Sequence, residues 1–258
     1  MLCSILISNY NKSNYIKDCI NSCINQTYKD IEIIFSDNSS TDDSLKKVYN
    51  YKNVKVLNTP RVNNFPATNQ IEVLLKAFEH SNGDFIFFLD ADDYFESKKI
   101  ETIIDIMIEK NYDFVCDIPR LIFNDKSTKA FKKDNIFKSL KNWPTIFPTS
   151  TIACSRVFFL RFKKYLLENN FSQLEIDFRL NVYSGLIEKN RVIIDKNLTN
   201  YSQIDDGIMS SYKKFGTRWW KKREQAHDYL EKIYEMNNLS YKKNIDYLIT
   251  FVINKLIK

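Results

Sequence analysis

Glycine and proline are scarce in this chain, with 4 glycines and 5 prolines among 258 residues. Flexible linkers and glycine-rich phosphate-binding loops depend on these residues, so there is little room for either. The chain also lacks an internal repeat and a low-complexity tract. Its 44% hydrophobic and 27% charged residues are ordinary values for a soluble globular protein that can bury a sizeable core.

Cysteine pairs and long apolar runs are missing as well. The 5 cysteines form an odd set without a C-x-x-C pair, which argues against a disulfide framework or a zinc site. We expect free, buried thiols in a reducing, cytosolic compartment. The N-terminal MLCSILISNYNK has no basic leader, and its apolar stretch is too short for a signal peptide or a membrane span.

The first half of the chain alternates between strand-like and helix-like segments. Apolar runs without polar alternation predict buried strands, and the segments between them predict helices, the first capped by Ser13. This order is typical of a largely parallel sheet covered by helices on both faces. The predicted strands are residues 2–8, 31–36, 54–57, 85–89 and 113–116. Four helices are predicted between them: one begins near residue 13, one begins near residue 42, one ends near residue 80, and one covers residues 97–109.

The second half is less regular. The sequence predicts a helix over residues 175–184 and a strand over 191–194. From Tyr212 onward, apolar residues at helical spacing predict two amphipathic helices. The first carries Trp219, Ala226, Leu230 and Ile233, and the second carries Tyr241, Ile245, Leu248, Ile249, Val252 and Leu256.

Three polar turns, SNYNK, SDNSSTDDS and DADD, follow predicted strands. Ligands of open α/β sheets collect beyond the carboxyl ends of the strands, so the turns predict one shared site. In DFIFFLDADDYF, Asp90 and Asp92 project to the same side, where carboxylate oxygens suit Mg²⁺ or Mn²⁺ bound together with a phosphate. We expect Asp93 to cap the next turn, and solvated turn residues are the alternative for all three. Asp37 ends another strand, where it is placed to accept a hydrogen bond from a base N–H.

The segments SILISNYNKSNYIKDCINSCINQTYKDIEIIFSDNSSTDDS and NGDFIFFLDADDYF together resemble the family 2 glycosyltransferases of the GT-A fold. The resemblance implies an α/β fold with a Rossmann-like, mostly parallel sheet flanked by helices, followed here by the C-terminal amphipathic helices. It implies a nucleotide pocket at the first strand end, uracil binding at the second, and contacts to ribose and metal from the D-x-D motif. The implied donor-binding residues are Ser8, Asn9, Tyr10, Asp37, Asn69, Asp90 and Ala91, and the implied ligands of Mn²⁺ or Mg²⁺ are Asp92 and Asp90.

The segment FSQLEIDFRL resembles the family's E-D-x-D/E-L/F segment. The resemblance implies that Glu175 is the catalytic base and that Asp177 is a supporting acid. This chain has Leu174-Glu175 where Glu-Asp is usual. The alternative for Glu175 is an exposed acid in the first turn of a helix, favoured there by the helix dipole.

Two other segments depart from the family pattern. ATNQI shares only Asn69 with the family's A-R-N-x-G, so a donor-binding arginine is missing. Arg61 is a candidate substitute, with an exposed loop cation as the alternative. In YSQIDDGIMSS, Ile204 stands where the family has a histidine near diphosphate or metal. Asp205 or Asp206 is a candidate replacement, with a surface turn as the alternative.

Two segments of the second half are candidates for contact with the acceptor or a membrane. WPTIFPTST lies where the family places acceptor contacts, which suggests Trp143, Thr149 and Ser150, with a tryptophan packed in the core as the alternative for Trp143. Six cations surround two tryptophans over Lys213–Arg223, a pattern that suits anionic lipid head groups, with a solvated basic face as the alternative. No nucleic-acid-binding motif accompanies the formal net charge of +6, so we expect no nucleic-acid partner.

By this resemblance, the chain is an inverting glycosyltransferase that uses a UDP-sugar and a saccharide or lipid-linked acceptor. Residues 1–117 form the donor-binding half, 118–211 the acceptor and catalytic-base half, and 212–258 a helical extension. The expected location is the cytoplasm, with peripheral contact to the inner face of the membrane. The rival hypotheses are a catalytically silent nucleotide-sugar binding protein and a basic module that binds membrane or RNA.

Overall fold

A seven-stranded sheet forms the centre of the protein in a computed structural model that describes residues 1–125, 127–130, 146–166, 171–204 and 212–257. One strand, Ile152–Ser155 (β9), is antiparallel to both of its neighbours, and every other pair in this sheet is parallel. The predicted mostly parallel sheet is therefore confirmed. In spatial order the strands are Arg191–Ile194 (β10), Phe114–Asp117 (β6), Ile152–Ser155 (β9), Phe85–Asp90 (β4), Cys3–Asn9 (β1), Ile31–Asp37 (β2) and Val54–Asn58 (β3).

A smaller, four-stranded sheet lies beside the carboxyl end of β4. It begins with Tyr94–Phe95 (β5), which follows the DADD turn directly, so this turn joins the two sheets. The sequence analysis did not predict this second sheet because its strands are short and three of them lie in the irregular part of the chain after residue 118. The other strands, in spatial order after β5, are Thr199–Gln203 (β11), Arg120–Phe123 (β7) and Thr128–Ala130 (β8).

Helices cover both faces of the main sheet. Two clusters of buried apolar side chains lie on its opposite faces, as expected for strands without polar alternation. All five cysteines are buried and free, as predicted. The α-helices of the described residues are Ile16–Ile24 (α1), Ser44–Val48 (α2), Pro66–Glu79 (α3), Lys99–Glu109 (α4), Arg156–Phe162 (α5), Ile176–Tyr183 (α6), Thr217–Met236 (α7) and Ile245–Leu256 (α8).

The start of α1 differs from the prediction. Tyr15, not Ser13, occupies the position before the helix, and no side chain caps it. The backbone N–H of Ser13 instead donates to the Asp42 carboxylate at 2.9 Å. This contact ties the turn after β1 to the turn after β2, which explains why Ser13 lies outside the helix.

The C-terminal helices pack differently from each other. Helix α7 buries Tyr229, Leu230 and Ile233 in the same core cluster as α3, α5 and α6. Helix α8 is amphipathic, as predicted, but its buried residues include the polar Thr250 and Asn254. Within the described residues, no helix combines the length and apolar character that crossing a membrane requires.

Candidate active site

A cleft of about 1350 Å³ opens at the carboxyl ends of β1, β2 and β4. The parallel register places Ser8 beside Asp90 and Asn9 beside Asp37. The three predicted polar turns therefore lie next to one another, and each contributes a residue to the cleft wall. The opposite wall comes from the N-terminal end of α6, from β11 and from α7.

The D-x-D motif presents two carboxylates of different environment. Asp90 Oδ1 accepts hydrogen bonds from Ser8 Oγ at 2.5 Å and from Gln70 Nε2 at 2.8 Å. Burial, with the charge of Asp92 added, raises the pKa of Asp90 to about 6. Asp92 lies 3.5 Å from the ammonium of Lys12, measured between Oδ2 and Nζ. The sequence analysis missed both Gln70 and Lys12, although each lies in a motif that it quoted, ATNQI and SNYNK.

The acidic side chains of the cleft can be compared with the ligand set that a metal ion needs. Among the described residues, no group of three or more histidine, cysteine, aspartate or glutamate side chains is arranged to hold a metal ion. Asp90 and Asp92 both line the cleft and offer hard oxygen ligands, which fits an ion that takes its remaining ligands from a diphosphate. Ile204 also lines the cleft. Asp205 and Asp206, the candidate replacements for a histidine, lie outside the described residues.

Asp93 is a long-range anchor, so the expectation that it only caps its own turn is wrong. Its carboxylate is buried and accepts from Ser150 Oγ at 2.5 Å and from the backbone N–H of Ser202 at 2.8 Å. Ser150 in turn accepts from the backbone N–H of Asp90 at 3.0 Å. Burial, with the charge of Asp92 added, raises the pKa of Asp93. This network holds the DADD turn against the second sheet.

The network also changes the view of the predicted acceptor residues. Ser150 is 0% exposed, and its hydroxyl is used by Asp90 and Asp93, so in this arrangement it does not offer its hydroxyl to an acceptor. Thr149 lines the cleft. Trp143 lies outside the described residues.

Asp37 lies beneath the cleft rather than in its wall. Its carboxylate is 0% exposed and accepts three hydrogen bonds, from Asn9 Nδ2 at 2.6 Å and from the backbone N–H and hydroxyl of Ser40 at 2.8 and 2.6 Å. A direct hydrogen bond from Asp37 to a base, as predicted, is therefore not available in this arrangement. Asp37 instead holds Asn9, which lines the cleft. The buried Oδ1 of Asn9 has no hydrogen-bond partner among the described residues.

Arg61 and Tyr10 form the edge of the cleft near Asn9. The guanidinium carbon of Arg61 lies 4.2 Å from the centroid of the Tyr10 ring, and Nη1 donates to Asn38 Oδ1 at 3.2 Å. Asn69 fixes the loop that carries Arg61, because its amide hydrogen-bonds the backbone of residues 62, 63 and 65. The candidate substitute for the missing arginine thus lies in the cleft wall, while Asn69 supports it.

The predicted base segment lies across the cleft. Glu175 immediately precedes α6, is 7% exposed, and pairs with Lys222 of α7, with 2.5 Å between Oε1 and Nζ. Asp177 follows in the first turn of α6 and also lines the cleft. Desolvation in the cleft, together with the charge of Glu175, raises the pKa of Asp177. Lys222 was missed because the six-cation stretch was interpreted only as a surface.

Tyr201 of β11 completes the acidic part of the cleft. It is the first residue of the YSQIDDGIMSS segment and lines the cleft. Burial and the charges of the surrounding aspartates, Asp93 first, raise the pKa of Tyr201 well above its ordinary value. Its hydroxyl therefore keeps its proton and can donate to a ligand oxygen.

The fold agrees with comparisons to known proteins. Residues 4–166 match the model of glycosyl transferase family 2. An uncharacterized glycosyltransferase of Haemophilus influenzae is 35% identical over 128 residues, which are 45% of this chain and 49% of the relative. The Escherichia coli UDP-Glc:alpha-D-GlcNAc-diphosphoundecaprenol beta-1,3-glucosyltransferase WfaP is 31% identical over 158 residues, which are 60% of this chain and 59% of the relative. The chain spans about half the length of the curated relatives it matches.

Solved structures show the same fold at low sequence identity. The crystal structure of S. aureus TarS 1–349 in complex with UDP-GlcNAc has a TM-score of 0.66 and 17% identity, covering 90% of this chain and 67% of that chain. The mannosyltransferase PcManGT from Pyrobaculum calidifontis, in complex with GDP-Man and Mn²⁺, has a TM-score of 0.56 and 13% identity, covering 98% and 69%. Since the family model matches more than half of the sequence, this chain belongs to glycosyl transferase family 2, and its fold is of the GT-A type.

Proposed function

We propose that this chain transfers a sugar from a UDP-sugar to a hydroxyl group of a lipid-linked or cell-surface saccharide, with inversion at the anomeric carbon. The observation that carries the proposal is that two acidic pairs, Asp90 with Asp92 and Glu175 with Asp177, face one cleft of about 1350 Å³. The relatives named as UDP-Glc-dependent glucosyltransferases of a diphosphoundecaprenol acceptor support the donor and acceptor classes. Such an acceptor would locate the protein at the inner face of the cytoplasmic membrane, in polysaccharide biosynthesis.

The nucleotide would bind at the edge formed by Tyr10, Arg61 and Asn9. An aromatic ring covered by a guanidinium offers flat surfaces that suit a nucleobase. Asn9 Oδ1 is buried and has no hydrogen-bond partner among the described residues, so it would accept from the uracil N–H only after the Asn9 side chain turns toward the cleft. Asp37 would act through Asn9, since it holds the Asn9 amide in place.

The diphosphate would lie at the D-x-D motif. Asp90 and Asp92 would hold Mn²⁺ or Mg²⁺ there, and Ser8 and Gln70 orient Asp90 for that role. A divalent ion so bound would neutralise the charge that grows on the departing UDP. The ammonium of Lys12, beside Asp92, adds positive charge at the same end of the cleft.

Glu175 would act as the general base from the opposite wall. It would take the proton of the acceptor hydroxyl while that oxygen bonds to the anomeric carbon and the bond to the UDP oxygen breaks. One displacement without a covalent intermediate inverts the configuration. Lys222 would orient the Glu175 carboxylate, and Asp177 would support it from the next turn.

The direct test is UDP release from a panel of UDP-sugars with saccharide and lipid-linked acceptors. In Glu175→Gln, turnover should fall by about a hundredfold or more while UDP binding persists, because a general base typically contributes 10²–10⁴-fold. In Asp92→Asn, metal-dependent binding of the UDP-sugar should weaken by about tenfold or more. Asp43→Asn, at an exposed position in another polar turn, is the matched control. The proposal is wrong if neither UDP nor a UDP-sugar binds in the presence of Mn²⁺ or Mg²⁺.

A catalytically silent nucleotide-sugar binding protein is the second candidate. The observation in its favour is that Asp92 and Glu175 each lie beside a lysine, Lys12 and Lys222 respectively. In a binding protein these pairs would persist when the nucleotide-sugar is bound. This candidate would be favoured if the chain binds a UDP-sugar but releases no UDP with any acceptor tested, and if Glu175→Gln binds the UDP-sugar as tightly as wild type.

A further inference from the structure

The outer face of α8 carries an uncovered apolar stripe. Ile245, Leu248, Ile249, Val252 and Leu256 follow the i, i+3, i+4, i+7, i+11 spacing and are 77%, 54%, 48%, 54% and 78% exposed. Five aliphatic side chains on one side of a single helix form a continuous surface rather than scattered exposed residues. A surface of this kind on a folded protein indicates contact with something apolar.

Polar contacts on the inner face hold α8 in this orientation. Asn254 is buried, and its Nδ2 donates to the backbone carbonyl of Trp220 at 3.0 Å. Asp246, the one acid in the α8 sequence, turns to His227 and Arg223 of α7, with 2.9 Å between Asp246 Oδ2 and His227 Nε2. The helix is thus fixed by its polar residues while its apolar residues face outward.

Basic and aromatic residues lie at the C-terminal end of this stripe. The Asn254 contact places the last turns of α8 beside the first turn of α7. The segment 213–223 that leads into α7 holds six cations and no acid. Two of them, Lys222 and Arg223, pair with acids of the protein, and the other four are exposed: Lys213, Lys214, Arg218 and Lys221. Phe215 in this segment is 63% exposed and packs edge-on against Trp219, with ring centroids 5.3 Å apart. Lys255 on α8 is exposed as well.

We propose that the outer face of α8, together with the basic aromatic segment 213–223, docks on an anionic lipid bilayer. An amphipathic helix that lies in the membrane interface buries its apolar side among the acyl chains and places lysine near the head groups. Tryptophan and phenylalanine are typical of this layer, and clustered cations without acids attract anionic lipids. Segment 213–223 carries charge of one sign only. An anionic bilayer would attract it, whereas the same segment of a second copy of the chain would repel it.

The docking surface lies close to the cleft. Helix α7 carries the exposed Lys221 and, next to it, Lys222, which reaches Glu175 in the cleft wall. A bilayer against this surface would hold a lipid-linked saccharide near the base. The inference therefore deepens the proposed function, and its acceptor assignment rests on that function, but lipid binding itself can be measured without turnover.

The test is co-sedimentation of the full chain with vesicles, comparing phosphatidylcholine alone with about equal parts of phosphatidylcholine and phosphatidylglycerol. We expect binding to the anionic vesicles that weakens with added salt. Leu248→Gln/Val252→Gln should lower the partition coefficient by about tenfold or more, because two buried aliphatic contacts are lost. Val157→Gln/Leu160→Gln, which removes two equally exposed aliphatic side chains from α5, is the matched control and should bind as wild type.

The charged part of the surface is tested separately. Lys213→Gln/Lys214→Gln should weaken binding to anionic vesicles. Lys17→Gln/Lys52→Gln, which removes two exposed lysines outside the proposed docking surface, is the control and should not weaken it. The inference is wrong if wild type ignores anionic vesicles, or if the α8 variant and the α5 control bind alike. Sedimentation velocity tests the alternative of a dimer. If the chain forms a concentration-dependent dimer that Leu248→Gln/Val252→Gln abolishes, the stripe binds a second copy of the chain and the inference is wrong. UDP release with a soluble acceptor reports the proposed function independently in every variant.

Discussion

Lys222 and Glu175 form an ion pair within one wall of the cleft, with 2.5 Å between Nζ and Oε1. The two side chains are only 16% and 9% exposed, so solvent screens the pair weakly. The lysine comes from the C-terminal helix α7, and the glutamate precedes α6. The helical extension therefore contributes a residue to the candidate site instead of only covering the core.

We predict that Lys222→Met lowers kcat by about tenfold to a hundredfold, because the Glu175 carboxylate loses the group that orients it. The dissociation constant of the UDP-sugar should stay near the wild-type value, since Lys222 lies at the opposite wall from the nucleotide edge. Steady-state kinetics and calorimetry measure the two quantities. Lys221→Met removes the same charge from the exposed neighbouring position and should leave both unchanged. An unaltered kcat in Lys222→Met would show that the pair has no positioning role.

The raised pKa of Asp90 predicts a pH dependence of stability. Burial and the charge of Asp92 move this pKa from 3.8 to about 6, so folding takes up a proton between these values. The resulting stabilisation is present below about pH 4 and is lost as the pH rises through about 6. Urea unfolding should show a decline over this window that is smaller by about 1–3 kcal/mol in Asp90→Asn, where the other buried acids still contribute.

The control for this measurement is Asp43→Asn, which removes a carboxylate from an exposed position before α2. Subtracting the curve of Asp90→Asn from that of wild type isolates Asp90 from the other acids of the cleft. A difference between the two curves that does not change with pH would contradict the assignment of the raised pKa to Asp90.

The sequence predicted the sheet and the meeting of the polar turns at one cleft because both depend on local patterns. Apolar runs without alternation identified β1, β2 and β4, and polar turns at their ends identified Asp90 and Asp92 as a neighbouring pair. Parallel strands bring such turns together whatever the loops between them contain. Local pattern and tertiary structure agree here, so the prediction needed no knowledge of packing.

The remaining features depend on contacts between distant residues. Nothing near Ser150 or Asp93 reveals that they hydrogen-bond each other, because they are 57 positions apart in sequence. Lys222 was grouped with a surface because charge patterning cannot tell which lysine of a basic run turns inward. In α8, periodicity identified the apolar side but not the fact that Asn254 and Asp246 would face the protein.

Gly83 should tolerate no side chain. A Cβ there would lie 2.6 Å from the backbone nitrogen of Ser4 and 2.9 Å from the carbonyl carbon of Cys3, and neither backbone atom can move without disturbing β1. We predict that Gly83→Ala lowers the free energy of unfolding by about 1–3 kcal/mol. Gly216→Ala, whose Cβ would meet its nearest atom at 3.0 Å, should cost less. Urea denaturation checks both, and equal losses would contradict the close approach of β1.

Arg61 should contribute to nucleotide affinity. It covers the Tyr10 ring at 4.2 Å and donates to Asn38, so it fixes two cleft residues and brings a charge that the family motif normally supplies elsewhere. We predict that Arg61→Met weakens UDP binding by about tenfold, a change that matches one lost charge-assisted contact. Calorimetry with UDP and with uridine separates its two roles, because lost stacking weakens both ligands and a lost phosphate contact weakens only UDP. Lys46→Met, an exposed charge on α2, is the control. Wild-type affinity for both ligands in Arg61→Met would remove Arg61 from the donor site and leave the missing family arginine without a substitute.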